Sequence, residues 1–108
     1  MSLLLIHTSC DDENRARDLA QTLIAQRLAA CVHLGARGTS FYTWQGRSET
    51  TPEYPLTIKT TTARQAEVIA FLRQHHPYQV PEILCQIIDH ADADYAAWVK
   101  EQTAANIA

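Results

Sequence analysis

The chain has 108 residues, 46% of them hydrophobic and 19% charged, with a formal net charge of −3. That length suits one domain, residues 1–108, built on a single modest core. There is no Lys/Arg run and no apolar stretch long enough to span a bilayer, so neither nucleic acid nor membrane is expected as a partner.

Leu3-Leu4-Leu5-Ile6 is short and apolar, lacks a preceding basic region, and runs at once into polar residues. It predicts a buried first strand to Thr8 and does not fit a signal peptide. Ser9-Cys10-Asp11-Asp12-Glu13 has the acidic and capping residues of a helix start. From there Ala16, Leu19, Ala20, Leu23, Ile24 and Leu28 recur at helical spacing, which predicts an amphipathic helix to about Ala29. A second strand is expected over 30–34, with Gly35 and Gly38 marking a bend. The aromatic and β-branched run Thr39 to Gln45 reads as a third, with Tyr42 and Trp44 on one face and Phe41 and Thr43 on the other.

Gln45-Gly46-Arg47 is a turn signal. Ser48 to Pro55, polar and carrying two prolines, reads as loop or edge strand. Leu56 to Thr61 alternates as a strand, and Thr62 with Gln65 matches a capping box. The helix that follows is expected to bury Ala66, Ile69 and Leu72, with Val68 and Phe71 at its margins. Ile83 to Ile88 reads as a central strand. A third helix presents Tyr95, Trp98 and Val99 at i, i+3, i+4, and the tail from Ala104 has little to pack against.

This order, β-α-β-β-α-β plus a C-terminal helix, is the α+β, ferredoxin-like split-βαβ plan: an antiparallel sheet with two helices on one face. The other face, with Tyr42, Trp44, Leu84, Gln86 and Ile88, is left for another chain, which predicts an oligomer. The three cysteines, Cys10, Cys31 and Cys85, form no CxxC pair and suit a reducing, cytoplasmic setting. Cys31 and Cys85 read as core residues. Cys10, beside a helix start, is the one with a reason for a lowered pKa.

The most concentrated chemistry lies in His75-His76-Pro77-Tyr78-Gln79-Val80-Pro81-Glu82. A residue before proline is pushed out of the α region, so the helix must end at His76, and two prolines then hold the connector extended. Histidines at a helix end also interact with its negative pole without any metal. Lys59 reads as a surface ion-pair partner or, near Glu53, Glu82 and Tyr78, as an anion contact. No nucleotide or acyl-transfer motif and no nucleophile–base pair can be placed, so an enzyme is not expected.

Leu28-Ala29-Ala30-Cys31, Phe41-Tyr42-Thr43-Trp44-Gln45-Gly46, Glu53 ahead of Ile58-Lys59-Thr60, His75 through Ile83, and Tyr95-Ala96-Ala97-Trp98 together resemble the CutA divalent-cation tolerance family. The resemblance runs from about Leu4 to Trp98. It implies a tight, PII-like homotrimer that binds divalent metal, copper above all, with no obligatory cofactor. It also implies metal ligands at His75 and His76, with a third at the end of the first strand, where His7 matches and Cys10 lies three residues on. The likeness to PII proteins implies a second reading, a sensor whose inter-subunit cleft of Lys59, Glu82, Tyr78, Trp44 and Glu53 takes a small anionic metabolite. A pure scaffold is a third.

Overall fold

The computed structural model describes residues 1–105. In chain order it forms β1 (Leu3–Cys10), α1 (Glu13–Ala25), β2 (Cys31–Leu34), β3 (Gly38–Trp44), β4 (Arg47–Thr61), a 3-10 turn (Thr62–Arg64), α2 (Gln65–His75), β5 (Leu84–Ile87) and α3 (Ala93–Gln102). The sheet order is β2-β4-β1-β5, with β3 also paired to β4 and every pairing antiparallel. This is the expected split βαβ. β5 is an edge strand, however, because only β1 pairs with it, so the central place expected for it is corrected.

Alternation decides the two sheet faces. Leu4, Ile6, Thr8 and Cys10 of β1 and Leu56, Ile58 and Thr60 of β4 are buried. The apolar ones pack against Ala16, Leu19 and Leu23 of α1 and Val68, Phe71 and Leu72 of α2. The odd-numbered residues of β1 and β4 point to the opposite, open face. There the register sets His7 beside Leu84 and Leu5 beside Gln86.

One orphan sits in this core. Thr8 is 1% exposed, and its Oγ1 has no hydrogen-bond partner among the described residues. A buried hydroxyl without a partner costs stability, and valine has nearly the same shape. Thr8→Val is expected to raise the unfolding free energy by about 1 kcal/mol in urea titration; a loss of stability would show that the hydroxyl is satisfied.

α1 stops at Ala25 rather than Ala29. Arg27 takes a left-handed φ of 58°, Leu28 N–H bonds Leu23 O at 3.0 Å, and Arg27 N–H bonds Ile24 O at 3.0 Å. This is a Schellman ending with arginine where glycine is usual. The Arg27 guanidinium donates to Glu101 O at 2.6 Å and Ala104 O at 3.2 Å, tying down the end of α3. Ala104 is therefore held; of the tail expected beyond it, 106–108 lie outside the described residues.

The capping box is absent. The Thr62 hydroxyl accepts from Ser2 N–H, and the 3-10 turn delays α2 to Gln65. The buried stripe of α2 is accordingly Val68, Phe71 and Leu72, with Ala66 exposed and Ile69 only partly covered. α3 buries Val99 alone, while Tyr95 and Trp98 stay substantially exposed. Val99 shares a small cavity with Leu3, Leu5 and Lys59, so α3 covers one end of the open face.

The other end of the fold is a two-stranded ribbon. β3 pairs with the first half of β4 from Gly38↔Glu53 to Trp44↔Arg47. Gln45 and Gly46, with φ of 51° and 78°, form the two-residue turn expected there. No residue of the ribbon belongs to the core.

Candidate functional site

α2 ends where Pro77 dictates. His76 is extended, with φ −68° and ψ 138°, and its N–H still bonds Leu72 O at 2.9 Å. Its ring turns back onto β1, where Nε2 lies 2.8 Å from Ser9 O. Tyr78 N–H donates to His76 Nδ1 at 3.1 Å, and the two rings meet edge-on at 4.8 Å. The Tyr78 hydroxyl then donates to Glu53 Oε2 at 2.8 Å, and Ser9 Oγ donates to the same oxygen at 3.2 Å. Connector, β1 and β4 are thus joined through four side chains.

Beside this junction, under the ribbon, lies an open cleft of about 400 Å³. Its walls include Tyr42 and Trp44 of β3, Glu53 of β4, Tyr78 and Glu82 of the connector, and Asp11 just beyond β1. Four of the five cleft residues expected from sequence come together here: Glu53, Tyr78, Glu82 and Trp44. Lys59 does not. It is six residues along β4 from Glu53, roughly 20 Å of strand, and lines the small cavity under α3. The cleft lining therefore carries three carboxylates and no Lys or Arg. Its charge favours a cation over an anion.

The histidines do not converge. His75 packs against Phe71 at 4.6 Å and lies in a groove with Arg15 and Asp18, on the helical side of the sheet. His7 lies on the open face, 3.4 Å from Gln86 Oε1. His76 is 7% exposed. Among the described residues no three His, Cys, Asp or Glu side chains stand close enough to hold a metal.

The cysteine expectations are reversed. Cys10 is buried, Cys31 half-buried and Cys85 exposed, all free. Cys10 lies on the core side of β1 because of its even position. Burial pushes its thiol pKa up, with Asp11, Asp12 and Glu53 adding to the rise, while its hydrogen bond to Asp12 O at 3.4 Å opposes it. Cys85 sits on the edge strand beyond the reach of the helices.

Burial, then the hydrogen bond to Glu53 and the Glu53 charge, push the Tyr78 hydroxyl well above the ordinary phenol value. A group with a raised folded pKa stabilises the fold fully below its unfolded pKa, near 10 for tyrosine, and that contribution is lost as pH rises. Stability is expected to fall from about pH 10 upward, and less steeply in Tyr78→Phe. Urea midpoints across that range check this; identical slopes would disconnect Tyr78 from the alkaline loss.

Ser9 and Asp11 also line the cleft, although neither stands out as a site residue from sequence. Asp11 reads locally as helix-start chemistry, and Ser9 reaches Glu53 only because β1 and β4 pair Ser9 with Pro55. That register is invisible until the strands are docked.

Topology and site define a ferredoxin-like α+β domain with an acidic, aromatic cleft between connector and ribbon. A family model described as CutA1 divalent ion tolerance protein matches residues 4–102. A divalent-cation tolerance protein CutA from Salmonella newport is 40% identical over 96 residues, which is 89% of this chain and 84% of that one. CutA from Xylella fastidiosa superposes with a TM-score of 0.92 at 33% identity, covering 95% of this chain and 99% of its own. A protein from Archaeoglobus fulgidus, described as the periplasmic divalent cation tolerance protein CutA, superposes with a TM-score of 0.89 at 27% identity, covering 94% and 98%. The chain belongs to the CutA1 divalent ion tolerance family.

Proposed function

We propose that this protein is a homotrimer that serves divalent-cation tolerance by binding the cation in the acidic cleft, with Cu(II) as the metal to be expected first. The observation that carries this is that Asp11, Glu53 and Glu82 all line one cleft without a Lys or Arg, although they stand too far apart to form a three-ligand site by themselves. Carboxylate sites follow the general order of divalent affinities, in which Cu(II) stands highest. One subunit offers an incomplete ligand set, so water or a neighbouring copy supplies the remainder.

The ribbon supports the trimer. An isolated two-stranded ribbon is marginal in water. Here β3 is largely exposed, with Phe41 at 76%, and exposed Leu84 and Ile87 add an apolar edge on β5. A light-scattering mass three times the 12.1 kDa subunit is expected; a mass of one subunit would remove the trimer.

Binding without catalysis fits the wiring of Ser9, His76 and Glu53, which only superficially resembles a nucleophilic triad. Ser9 Oγ donates to Glu53, and His76 is bonded to the Ser9 carbonyl, so no imidazole stands at the hydroxyl to activate it as in a triad.

Calorimetric titration of the metal-stripped protein with Cu(II) tests the cleft. Glu53→Gln and Glu82→Gln are expected to weaken binding at least about tenfold and His75→Ala to leave it unchanged. Loss in His75→Ala alone would move the metal to the end of α2.

A further inference from the structure

The histidine pair implied as metal ligands does not fit that role in this chain. We infer that His76 is instead a positioning residue, whose ring is locked between Ser9 O and Tyr78 N–H and thereby fixes the Glu53 carboxylate at the cleft. This rests on the cleft reading for its ligand, though not for its geometry.

The two partners of the imidazole assign its tautomer. A carbonyl oxygen can only accept, so Nε2 carries the hydrogen toward Ser9 O. A backbone N–H can only donate, so Nδ1 offers its lone pair to Tyr78 N–H. Both demands are met by one neutral form, and neither ring nitrogen keeps a lone pair for a metal. A cation at Nδ1 would displace Tyr78 N–H, and one at Nε2 would break the bond to Ser9. The ring is also largely covered, and Tyr78 packs against it at a steep angle. The other implied ligands fit no better: Cys10 is buried with its thiol bonded to Asp12 O, and His7 and His75 lie on opposite sides of the sheet.

The lock has a definite output. The two groups clamped by His76 belong to the two residues that hold Glu53. Ser9 and Tyr78 both donate to Oε2, which leaves Oε1 as the oxygen without a donor and available to a cleft ligand. An oriented carboxylate binds a cation better than a mobile one, and partners that orient a metal ligand are worth about 10–100-fold in affinity.

The test uses the whole wild-type chain, isotopically labelled, with Zn(II) as a diamagnetic probe. Long-range ¹H–¹⁵N spectra are expected to show His76 as the Nε2–H tautomer before zinc and unchanged at saturation, while the Glu53 carboxyl carbon shifts. The other tautomer, or a metal-induced shift at a His76 nitrogen, would overturn the inference.

The positioning role is read from a mutant cycle. His76→Ala is expected to weaken Zn(II) binding about tenfold, with partial recovery in His76→Gln, whose amide can still donate to Ser9 O. On a Glu53→Gln background His76→Ala should cost nothing further, whereas an undiminished loss there would refute action through Glu53. If Glu53→Gln leaves zinc binding intact, the cleft reading fails, while the tautomer result still decides whether His76 is a ligand.

Discussion

Leu72→Ala is expected to lower the unfolding free energy by about 3 kcal/mol, and Ile69→Ala by no more than about 1 kcal/mol. Leu72 is completely buried with Val68 and Phe71 against β1, β4 and α1. Its truncation leaves a cavity that a close-packed core fills only in part. Ile69 lies one row away, partly covered in a groove with Arg73 and Pro81. The periodicity of α2 taken alone would make the two equivalent. They differ because the 3-10 turn over Thr62–Arg64 sets how the helix enters the core. Urea unfolding at fixed protein concentration measures both, since any assembly makes stability concentration-dependent. Equal losses would mean that α2 is rotated from the face described.

If the protein is the trimer proposed above, shortening the ribbon is expected to convert it to folded monomers. Ser40 and Thr51 are paired across β3 and β4, so the ten residues 41–50 between them can be replaced by Asn-Gly, which closes a two-residue hairpin. Glu53 and the core are untouched, because the core draws on no residue of the ribbon. The expected light-scattering mass falls from three subunits to one, with far-UV circular dichroism still showing the two sheet-covering helices. A shortened chain that remains trimeric would place the contacts elsewhere, with the exposed β5 edge as the next surface to alter. The same truncation removes Tyr42 and Trp44 from the cleft wall, so divalent-cation binding should weaken along with assembly.

Much of this architecture is legible in the residues. The alternation of Leu4, Ile6 and Thr8 against Leu3, Leu5 and His7 defines β1 and its buried side. Gln45-Gly46 marks the hairpin, and His76-Pro77 ends α2. Local pattern fails where tertiary structure decides. Ile83 to Ile88 is apolar enough for a central strand, but the strand it forms, Leu84–Ile87, lies at an edge and is exposed, while Ile83 packs against the core. Cys10 looks like a reactive thiol at a helix start but is buried by its parity on β1.

The site divides in the same way. Glu53, Tyr78, Glu82 and Trp44 are found by their chemistry and by family likeness. Lys59 is misplaced because sequence distance along a straight strand becomes real distance. The paired histidines part because adjacency in the chain throws their rings in different directions. His75 lies along the outer face of the helices, whereas His76 is folded inward by the extended backbone before Pro77.

Gly35 has a wider consequence. Its N–H bonds Pro55 O at 2.8 Å, and a Cβ placed there would stand only 2.8 Å from Pro55 Cγ. The chain is thus pressed against β4 at the point where β2 gives way to the ribbon, and this contact acts as a fulcrum. On one side of it β4 is anchored in the core through Leu56 and Ile58; on the other it is a lever carrying Glu53, Thr51 and the ribbon aromatics. In the proposed trimer, gripping that lever and filling the cleft beneath it would restrict the same angle. Any factor by which assembly changes cation affinity is then also the factor by which the cation changes assembly. Gly35→Ala, by wedging the fulcrum, should weaken both together.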